Sequence, residues 1–379
     1  MKTERRDLTL GSLETSVSAD PTLAYWEDLV AAAWTKALRR KSVDRDTDFR
    51  TLGMNSNQIM QVIADLWLAT SRELPVNAFF EVRTIRRMAA SIRDGSAFIA
   101  LDLVLLRSGE ESIPLFLFPG GPGNLAELVD LVHALEYPGA VYGIAFSGLD
   151  GVEPFYDRIE AEAARALSII RETQPSGPVR LVGYSVGGIT ALETARLLRE
   201  HGETAFVSMI DTSQNDHLWP YTVWVAVLLR KYIHQSRKQL RLLTTPKVFN
   251  AIAKGKPPTG PRRRGTQFTY RFRNPHDPDY PYYSPYWSSA HPPNYTRVGA
   301  NVCRMKGFYK PSLYDGEVFF LVSAGGDKLT CSPKQVWPKY LPRAEWISVP
   351  GNHLSIMVGR HAARLAREIS ERLRRFEGA

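Results

Sequence analysis

Apolar residues at helical spacing predict a group of helices in the first quarter of the chain. The first helix buries one face through residues three and four positions apart, namely Trp26, Leu29, Val30, Ala33 and Trp34. A second helix is predicted to begin at Asn55 or Ser56, which are both good N-caps, and a third covers residues 84–92. We therefore expect a small all-α bundle over residues 21–95, preceded by a polar, flexible N-terminus at residues 1–20.

After a linker at residues 96–112, which includes one candidate strand, short apolar runs alternate with amphipathic helices. The predicted strands are Pro114–Phe118, Ala140–Phe146, Val179–Tyr184, Ala205–Ile210, Glu317–Ser323 and Ala344–Val349. The helices between and after them are Leu125–Leu135, Tyr156–Thr173, Gly188–His201 and Ser355–Phe376. Alternation of this kind is typical of a mostly parallel sheet with helices on both faces, so we expect an α/β domain over residues 113–379.

The alternation is interrupted once, by an insertion over residues 212–312. It opens with a predicted helix, Tyr221–Leu243, and continues as a stretch rich in Pro, Tyr and Arg. An interruption of this length after one strand is typical of a lid or substrate-binding insertion. Within it, low-complexity disorder is the alternative for Lys254–Gly265.

The insertion also holds the excess positive charge. Between Asp211 and Arg297 there are thirteen Lys and Arg residues against three Asp, whereas the whole chain has a net charge of +9. No module typical of nucleic-acid binding accompanies this charge, so a nucleic acid is not the expected partner.

Composition excludes several classes of protein. With 44% hydrophobic and 23% charged residues, the chain resembles a globular protein rather than a disordered one. Its two cysteines exclude a disulfide framework, and no Cys or His cluster points to a structural metal. No apolar run is long enough to span a bilayer, and the N-terminus lacks the apolar core of a secretory signal. We therefore expect a cytoplasmic protein.

The strongest chemical signal is the pattern Gly183-x-Ser185-x-Gly187, which follows one predicted strand and opens a helix. A tight strand-to-helix turn of this kind holds a serine hydroxyl above the edge of a sheet, and the glycines avoid collisions in the turn. Ser185 is therefore the candidate nucleophile. It needs a general base, and His353 lies where that base is expected, in the loop between the last strand and the last helix.

Two aspartates are candidates for the acid that orients His353. Asp211 ends the strand that follows the Ser185 helix, and Asp327 follows the penultimate strand. Both lie at carboxyl ends of strands, where α/β proteins build their sites, so position alone leaves the choice open.

An oxyanion hole needs two backbone N–H donors. The residue after the nucleophile, Val186, is expected to supply one of them. The other is expected from the glycine turn after the first core strand. The prolines of that turn have no N–H and are excluded, so Gly121 or Gly120 remains, with Gly121 preferred.

The helical part resembles the carrier domains of nonribosomal peptide and polyketide synthases. The resemblance covers Thr22–Ile92 and is carried by Leu52-Gly53-Met54-Asn55-Ser56 at the start of the second helix. In that family a serine at this place receives 4′-phosphopantetheine, so the resemblance implies attachment at Ser56. Met54 replaces a glycine of the family pattern and Asn57 replaces a leucine, and a helix N-cap in a degenerate carrier is the alternative.

The remainder, Ser112–Arg374, resembles the type I thioesterase domains of the same synthases, which have an α/β-hydrolase fold with a lid. The shared features are the Phe-Pro-Gly-Gly turn, the Gly-Tyr-Ser-Val-Gly elbow, the Ile-Asp-Thr strand end and Gly-Asn-His before the last helix. Members of this family commonly take their acid from the strand before the lid, so the resemblance favours Asp211 over Asp327.

Together the two resemblances imply an enzyme that offloads an acyl or peptidyl chain from a phosphopantetheine thioester, by hydrolysis or by cyclisation. A phosphopantetheinyl transferase and upstream synthase modules or carriers in trans are the implied partners, and the basic insertion suits an acidic carrier. The alternatives are a trans-acting editing hydrolase, a free-standing esterase and a non-catalytic carrier or docking module.

Overall fold

A computed structural model describes residues 22–72, 74, 77–95, 102–121, 123–149, 155–243, 293–326 and 330–378. The predictions for residues 1–20, for Asp327 and for the Arg/Tyr/Pro-rich part of the insertion lie outside these ranges.

The first part of the chain is a helical bundle. Its helices are α1 Leu23–Leu38, α2 Ser56–Thr70, α3 Ala78–Val82 and α4 Ile85–Asp94, with a 3₁₀ turn at Phe49–Leu52. Trp34 stacks on Phe79 with 5.4 Å between the ring centroids, and Phe49 meets Phe79 edge-on at 4.7 Å. The three predicted helices are confirmed. The short α3 was not predicted, because five residues are too few to show a period.

The second part is built on a seven-stranded sheet. Its strands are β1 Leu103–Arg107, β2 Glu111–Phe118, β3 Gly139–Ile144, β4 Val179–Tyr184, β5 Ala205–Ile210, β6 Val318–Ser323 and β7 Ala344–Val349. They lie in the order β1-β3-β2-β4-β5-β6-β7, and β1 is antiparallel to β3 while the other pairs are parallel. The predicted strands are confirmed to within a few residues.

Helices cover this sheet on both faces. They are α5 Val129–Ala134, α6 Ile159–Thr173, α7 Val186–Glu200 and α10 Gly359–Glu377, and the insertion between α7 and α10 holds two further helices, α8 Tyr221–Leu243 and α9 Pro293–Phe308. The helix α5 connects β2 to β3, α6 connects β3 to β4, and α7 connects β4 to β5. Along the sheet, the connection through α5 runs in the opposite direction to the other two. Because such crossovers are right-handed, α5 lies on the opposite face from α6 and α7.

One helix of the insertion was missed by the sequence reasoning. The helix α8 has the predicted bounds, but α9 occupies a stretch where only the return of the chain from the insertion was recognised. Its buried residues Val298, Val302 and Met305 have helical spacing, yet Gly299 and Gly307 interrupt the pattern. Among the residues that the structure describes, no helix combines the length and the apolar character needed to cross a bilayer.

The topology brings the candidate residues to one edge of the sheet. The strand β4 lies between β2 and β5, so the segments that follow these three strands are neighbours. After β2 the chain crosses to β3 on one side of the sheet, whereas after β4 it crosses to β5 on the other side. In α/β sheets, a crevice opens at the carboxyl ends of the strands where the direction of the crossovers reverses. Gly121, Ser185 and Asp211 follow β2, β4 and β5, and His353 follows β7.

Candidate active site

Ser185 occupies a sharp turn between β4 and α7. Every residue of β4 is buried, and α7 starts at Val186 directly after the serine. Ser185 has φ 54° and ψ −120°, a conformation that costs a non-glycine residue energy and persists only where the surroundings enforce it. The enforcing contacts include the Ser185 N–H, which donates to the Ile210 carbonyl at 2.8 Å and so ties the turn to β5.

The glycines on either side of Ser185 are required by close packing. A Cβ added to Gly183 would lie 2.2 Å from the Gly187 carbonyl oxygen. One added to Gly187 would lie 2.2 Å from the carbonyl oxygen of Pro119, in the loop after β2. The turn at Ser185 therefore packs tightly against the segment that was predicted to provide the second oxyanion donor. The glycine–serine motif and the glycine turn after β2 are thus neighbours in the structure.

Asp211 and His353 form a hydrogen-bonded pair. The His353 Nδ1–H donates to Asp211 Oδ2 at 2.9 Å, although 142 residues separate the two in the chain. Asp211 also accepts from the Ser323 N–H at 2.9 Å and from the Ser323 hydroxyl at 3.0 Å. The side chain of His353 is 39% exposed, whereas that of Asp211 is 8% exposed. The pair thus has a buried acid and an accessible imidazole.

The charge state of Asp211 follows from these contacts. Burial by itself raises the pKa of Asp211, but the hydrogen bonds from His353 and Ser323 outweigh it, so the pKa lies below its ordinary value. Asp211 is therefore a carboxylate near neutral pH, and the imidazole must keep its proton on Nδ1. The other nitrogen, Nε2, is then the one available as a base.

Tyr184 holds the loop that carries His353. Its hydroxyl donates to the main-chain oxygen of His353 at 2.5 Å, and its ring stacks on the imidazole with 5.2 Å between centroids. Sequence reasoning missed this contact and the role of Ser323. Tyr184 occupies a variable position of the glycine–serine motif, so only its place directly before Ser185 could have drawn attention to it.

In the loop after β2, two of the three glycine N–H groups have acceptors: that of Gly123 donates to the Gly120 carbonyl at 2.7 Å, and that of Gly120 donates to a side chain. The Gly120 N–H donates to Glu127 Oε1, and Glu127 lies in the 3₁₀ turn Leu125–Leu128. Burial raises the pKa of Glu127 to about 8, although the hydrogen bond from Gly120 favours the carboxylate. With Gly120 occupied, Gly121 is the remaining glycine donor in this turn. Sequence reasoning missed Glu127, which no motif marks.

Val186 and Gly121, the two candidate oxyanion donors, lie close to each other, because a Cβ added to Gly121 would lie 3.7 Å from Val186 Cγ1. Val186 is the first residue of α7, so its N–H has no partner within the helix. Gly121 follows β2, the neighbour of β4 in the sheet. Both positions suit the stabilisation of an anion next to Ser185, because the start of a helix favours negative charge.

Ser56 lies in the helical part, as the first residue of α2. Asn55 caps this helix: its side chain accepts from the Gln58 N–H at 3.0 Å, and the Gln58 side chain accepts from the Asn55 N–H at 2.9 Å. Gly53, three residues before Ser56, has φ 67°, and an added Cβ would meet nothing within 4 Å. A serine that follows an open turn and begins a capped helix fits the attachment of a phosphate ester, since helix starts favour phosphate.

The two parts touch next to this site. The Met60 sulfur, on α2, accepts a hydrogen bond from Asn124 Nδ2 at 3.0 Å, and Asn124 caps the 3₁₀ turn that carries Glu127. Met60 is one helical turn beyond Ser56. Within the described ranges, no group of three or more His, Cys, Asp or Glu side chains could hold a metal ion.

Two family models match the chain. The model of a phosphopantetheine attachment site matches residues 28–92, and the model of a thioesterase domain matches residues 113–231. These matches cover α2 with Ser56 and the segment from β2 to α8 with Ser185.

The chain is also similar to parts of several curated synthases. Indigoidine synthase of Dickeya dadantii (strain 3937) is 32% identical over 177 residues, which are 47% of this chain and 12% of that protein. Enterobactin synthase component F of Escherichia coli (strain K12) is 28% identical over 224 residues, 58% of this chain and 17% of that protein. The chain thus spans less than a fifth of the length of either relative.

A solved structure supports the fold. A four-domain nonribosomal peptide synthetase, crystallised in its holo form with AMP and glycine, superposes with a TM-score of 0.53 and 21% identity. The superposition covers 91% of this chain and 26% of that one. The chain therefore holds a phosphopantetheine attachment domain followed by a thioesterase domain with an α/β-hydrolase fold, and over these segments it is similar to synthases that include a nonribosomal peptide synthase.

Proposed function

We propose that this chain releases an acyl or peptidyl group from a carrier-bound thioester through an acyl-enzyme on Ser185. The observation that carries the proposal is the hydrogen bond from His353 Nδ1 to the buried Asp211, at the sheet edge where Ser185 forms its turn. This arrangement leaves His353 Nε2 to serve as the base. The relatives are much longer synthases, so a release step in this chain is proposed by analogy with a synthase that must free its product.

Acylation follows from the roles of the three residues. His353 Nε2 takes the proton of the Ser185 hydroxyl while Oγ bonds to the thioester carbonyl carbon. The carbon–sulfur bond then breaks, and the leaving thiolate receives the proton from His353. Asp211 keeps the imidazole in the required tautomer and stabilises its positive charge. In the second half, His353 activates water, or a nucleophile of the acyl chain itself, to break the ester and free Ser185.

The tetrahedral intermediate of each half needs donors for its oxyanion. We assign these to the N–H groups of Val186 and Gly121, which flank the nucleophile from α7 and from the loop after β2. The bond from the Gly120 N–H to Glu127 supports this assignment, because it holds the adjacent peptide of the loop in place.

Ser56 would hold the 4′-phosphopantetheine group as a phosphate ester at the start of α2. When bound, the group supplies a thiol that carries the acyl chain as a thioester. The hydrogen bond between Asn124 and the Met60 sulfur supports loading within the chain, because it sets the helix of Ser56 against the loop next to the oxyanion donors.

The proposal also names the partners of the chain and the boundaries of its domains. A phosphopantetheinyl transferase modifies Ser56, and upstream synthase modules supply the acyl group, either on Ser56 or on a carrier of their own. The carrier domain occupies residues 21–95, the linker 96–112 and the thioesterase domain 113–379, with residues 212–312 as the lid. Release occurs by hydrolysis or by cyclisation, according to which nucleophile meets the acyl-enzyme.

The test is to load the chain with acyl-coenzyme A and a phosphopantetheinyl transferase and to follow the intact protein by mass spectrometry. We expect acyl-phosphopantetheine on the carrier domain, then loss of the acyl group with free acid or cyclic product in solution. A fluorophosphonate should form one adduct, at Ser185. Absence of both release and adduct would refute the enzyme and favour a docking module.

The carrier half makes a separate prediction. Ser56→Ala is expected to abolish the gain of phosphopantetheine, because no hydroxyl remains for the phosphate ester, while a soluble acyl-pantetheine thioester is still hydrolysed. Mass spectrometry and a thiol-release assay measure the two effects. The matched control, Ser42→Ala, removes an exposed serine of the same domain and should gain phosphopantetheine normally. Modification of the Ser56→Ala variant would show that attachment occurs elsewhere.

Glu127 makes a prediction for the dependence of the rate on pH. Its pKa of about 8 means that the neutral acid predominates below that pH and the carboxylate above it. A carboxylate on the oxyanion loop opposes the negative charge of the intermediate, so kcat for an uncharged acyl thioester should fall above about pH 8. In the Glu127→Gln variant, which keeps an oxygen to accept from Gly120, this fall should disappear.

The other titratable groups near Gly120 allow a test of whether Glu127 causes this fall in kcat. Besides Glu127, the titratable side chain packed against Gly120 is that of Tyr184. Burial raises the pKa of Tyr184 well above its ordinary value, so this side chain stays neutral near pH 8. Glu136→Gln, at an exposed carboxylate beyond α5, is the control and should keep the wild-type profile. An unchanged fall in Glu127→Gln would assign the titration to another group.

A further inference from the structure

The helix α9, which returns from the lid, lies over the site. Val302 and Lys306 are four residues apart and share one face of this helix. A Cβ added to Gly121 would lie 3.0 Å from Val302 Cγ1, so this face touches the oxyanion loop. Four residues further on, Lys306 Nζ donates to the Ser213 hydroxyl at 3.1 Å. One face of α9 therefore reaches from Gly121 to the segment that follows Asp211.

Lys306 is a charged group without a charged partner at this place. Its hydrogen-bond acceptor is the neutral hydroxyl of Ser213, and within the described residues no carboxylate acts on it. Burial lowers the pKa of Lys306 to about 8, and the thiol of Cys303, one turn earlier, is the other titratable group near it. Lys306 is half-buried, and an ammonium that has lost part of its water is stabilised by an anion beside it.

Gln214 adds a second unsatisfied group next to Ser213. Gln214 is only 3% exposed. Within the described residues, neither the Oε1 nor the Nε2 of its side chain has a hydrogen-bond partner. Buried amides of folded proteins are nearly always paired, so an unpaired one calls for a ligand or another explanation. Gln214 follows Ser213 directly and is three residues beyond Asp211, so its backbone belongs to the segment that Lys306 contacts.

We propose that Lys306, Ser213 and Gln214 form a subsite that binds a carboxylate of the acyl chain while its thioester reacts at Ser185. The inference rests on the proposed function and names the substrate class: acyl or peptidyl groups with an acidic side chain or a second carboxyl group. A carboxylate accepts charge-assisted hydrogen bonds from the ammonium and neutral ones from the hydroxyl and the amide. A carboxamide of the same shape forms only the weaker kind.

The test compares two soluble pantetheine thioesters that differ only in a distal carboxylate or carboxamide. For the wild type we expect kcat/KM to favour the carboxylate by about 10- to 100-fold, the range for a hydrogen bond to a charged group. Lys306→Met, which keeps an unbranched chain of similar length, should reduce this ratio to near 1. Lys310→Met removes an exposed lysine just beyond α9 and should keep the wild-type ratio.

The wild type alone gives an independent measurement. Because Lys306 loses its proton above about pH 8, the ratio of the two substrates should decline there. Measuring a ratio cancels the effect of Glu127, which acts on both substrates, and Ser213 on the facing segment does not titrate. This arm does not depend on whether Lys306→Met folds.

The outcomes separate this inference from the proposed function. Turnover of both substrates with equal kcat/KM, or an unchanged preference in a folded Lys306→Met variant, would overturn the subsite and leave the thioesterase intact. Turnover of neither substrate, without a fluorophosphonate adduct at Ser185, would overturn the proposed function and the subsite with it.

Discussion

Ser185→Ala is expected to lower kcat for thioester release by about 10⁶-fold, the loss found when the nucleophile of a serine hydrolase triad is removed. The alanine has no oxygen to form the acyl-enzyme, and the oxyanion donors alone leave only a small residual rate. On the intact chain, the acyl group should then stay on the phosphopantetheine of the carrier domain. Mass spectrometry of the loaded protein and a thiol-release assay measure both effects.

The control for this variant is Ser168→Ala, which removes an exposed serine of α6. It should release the acyl group at the wild-type rate. If Ser185→Ala, with an unchanged melting temperature, kept more than about a hundredth of the wild-type kcat, another nucleophile would be responsible. The acyl-enzyme mechanism on Ser185 would then be wrong.

Asp211→Asn is expected to lower kcat by about 10⁴-fold, because an amide in this place stabilises the wrong tautomer of the imidazole. The effect should be largest near neutral pH, where His353 must be a neutral base with its proton on Nδ1. Asparagine has nearly the same shape, so the melting temperature should change less than the rate does. A pH–rate profile and a thermal melt distinguish the two effects.

Asp315→Asn is the matched control, since Asp315 is an exposed aspartate that pairs with Arg199. Its kcat should match the wild type. If Asp211→Asn retained most of its activity while Asp327→Asn lost it, the acid would be Asp327. The hydrogen bond between His353 and Asp211 would then have only a structural role.

Much of the sheet could be predicted because its strands are buried on both faces. Strands such as β4 and β5 are apolar except for Arg180 and Ser208, and their bounds were predicted to the residue. The turn at Ser185 was predictable because it needs glycine at two fixed offsets, and the packing distances at Gly183 and Gly187 give the physical reason.

The rest of the site depends on contacts between distant segments. Whether Asp211 or another acid meets His353 is decided by the register of β5 and β6 and by a loop 142 residues away, so position in the chain left it open. Glu127 and Tyr184 act through one hydrogen bond each, to Gly120 and to His353. No spacing in the sequence encodes such bonds, because each joins a side chain to the main chain of a residue that folding alone brings near.

The contact between Tyr184 and the main chain of His353 decides how the base is held in position. The imidazole comes from a segment 168 residues beyond the nucleophile in the numbering, yet its backbone is anchored by the residue directly before that nucleophile. In the proposed mechanism, the base is thus held by two contacts, one from the Tyr184 hydroxyl and one from the Asp211 carboxylate. Neither contact comes from residues 212–312, so changes within the proposed lid can alter substrate binding without moving the base.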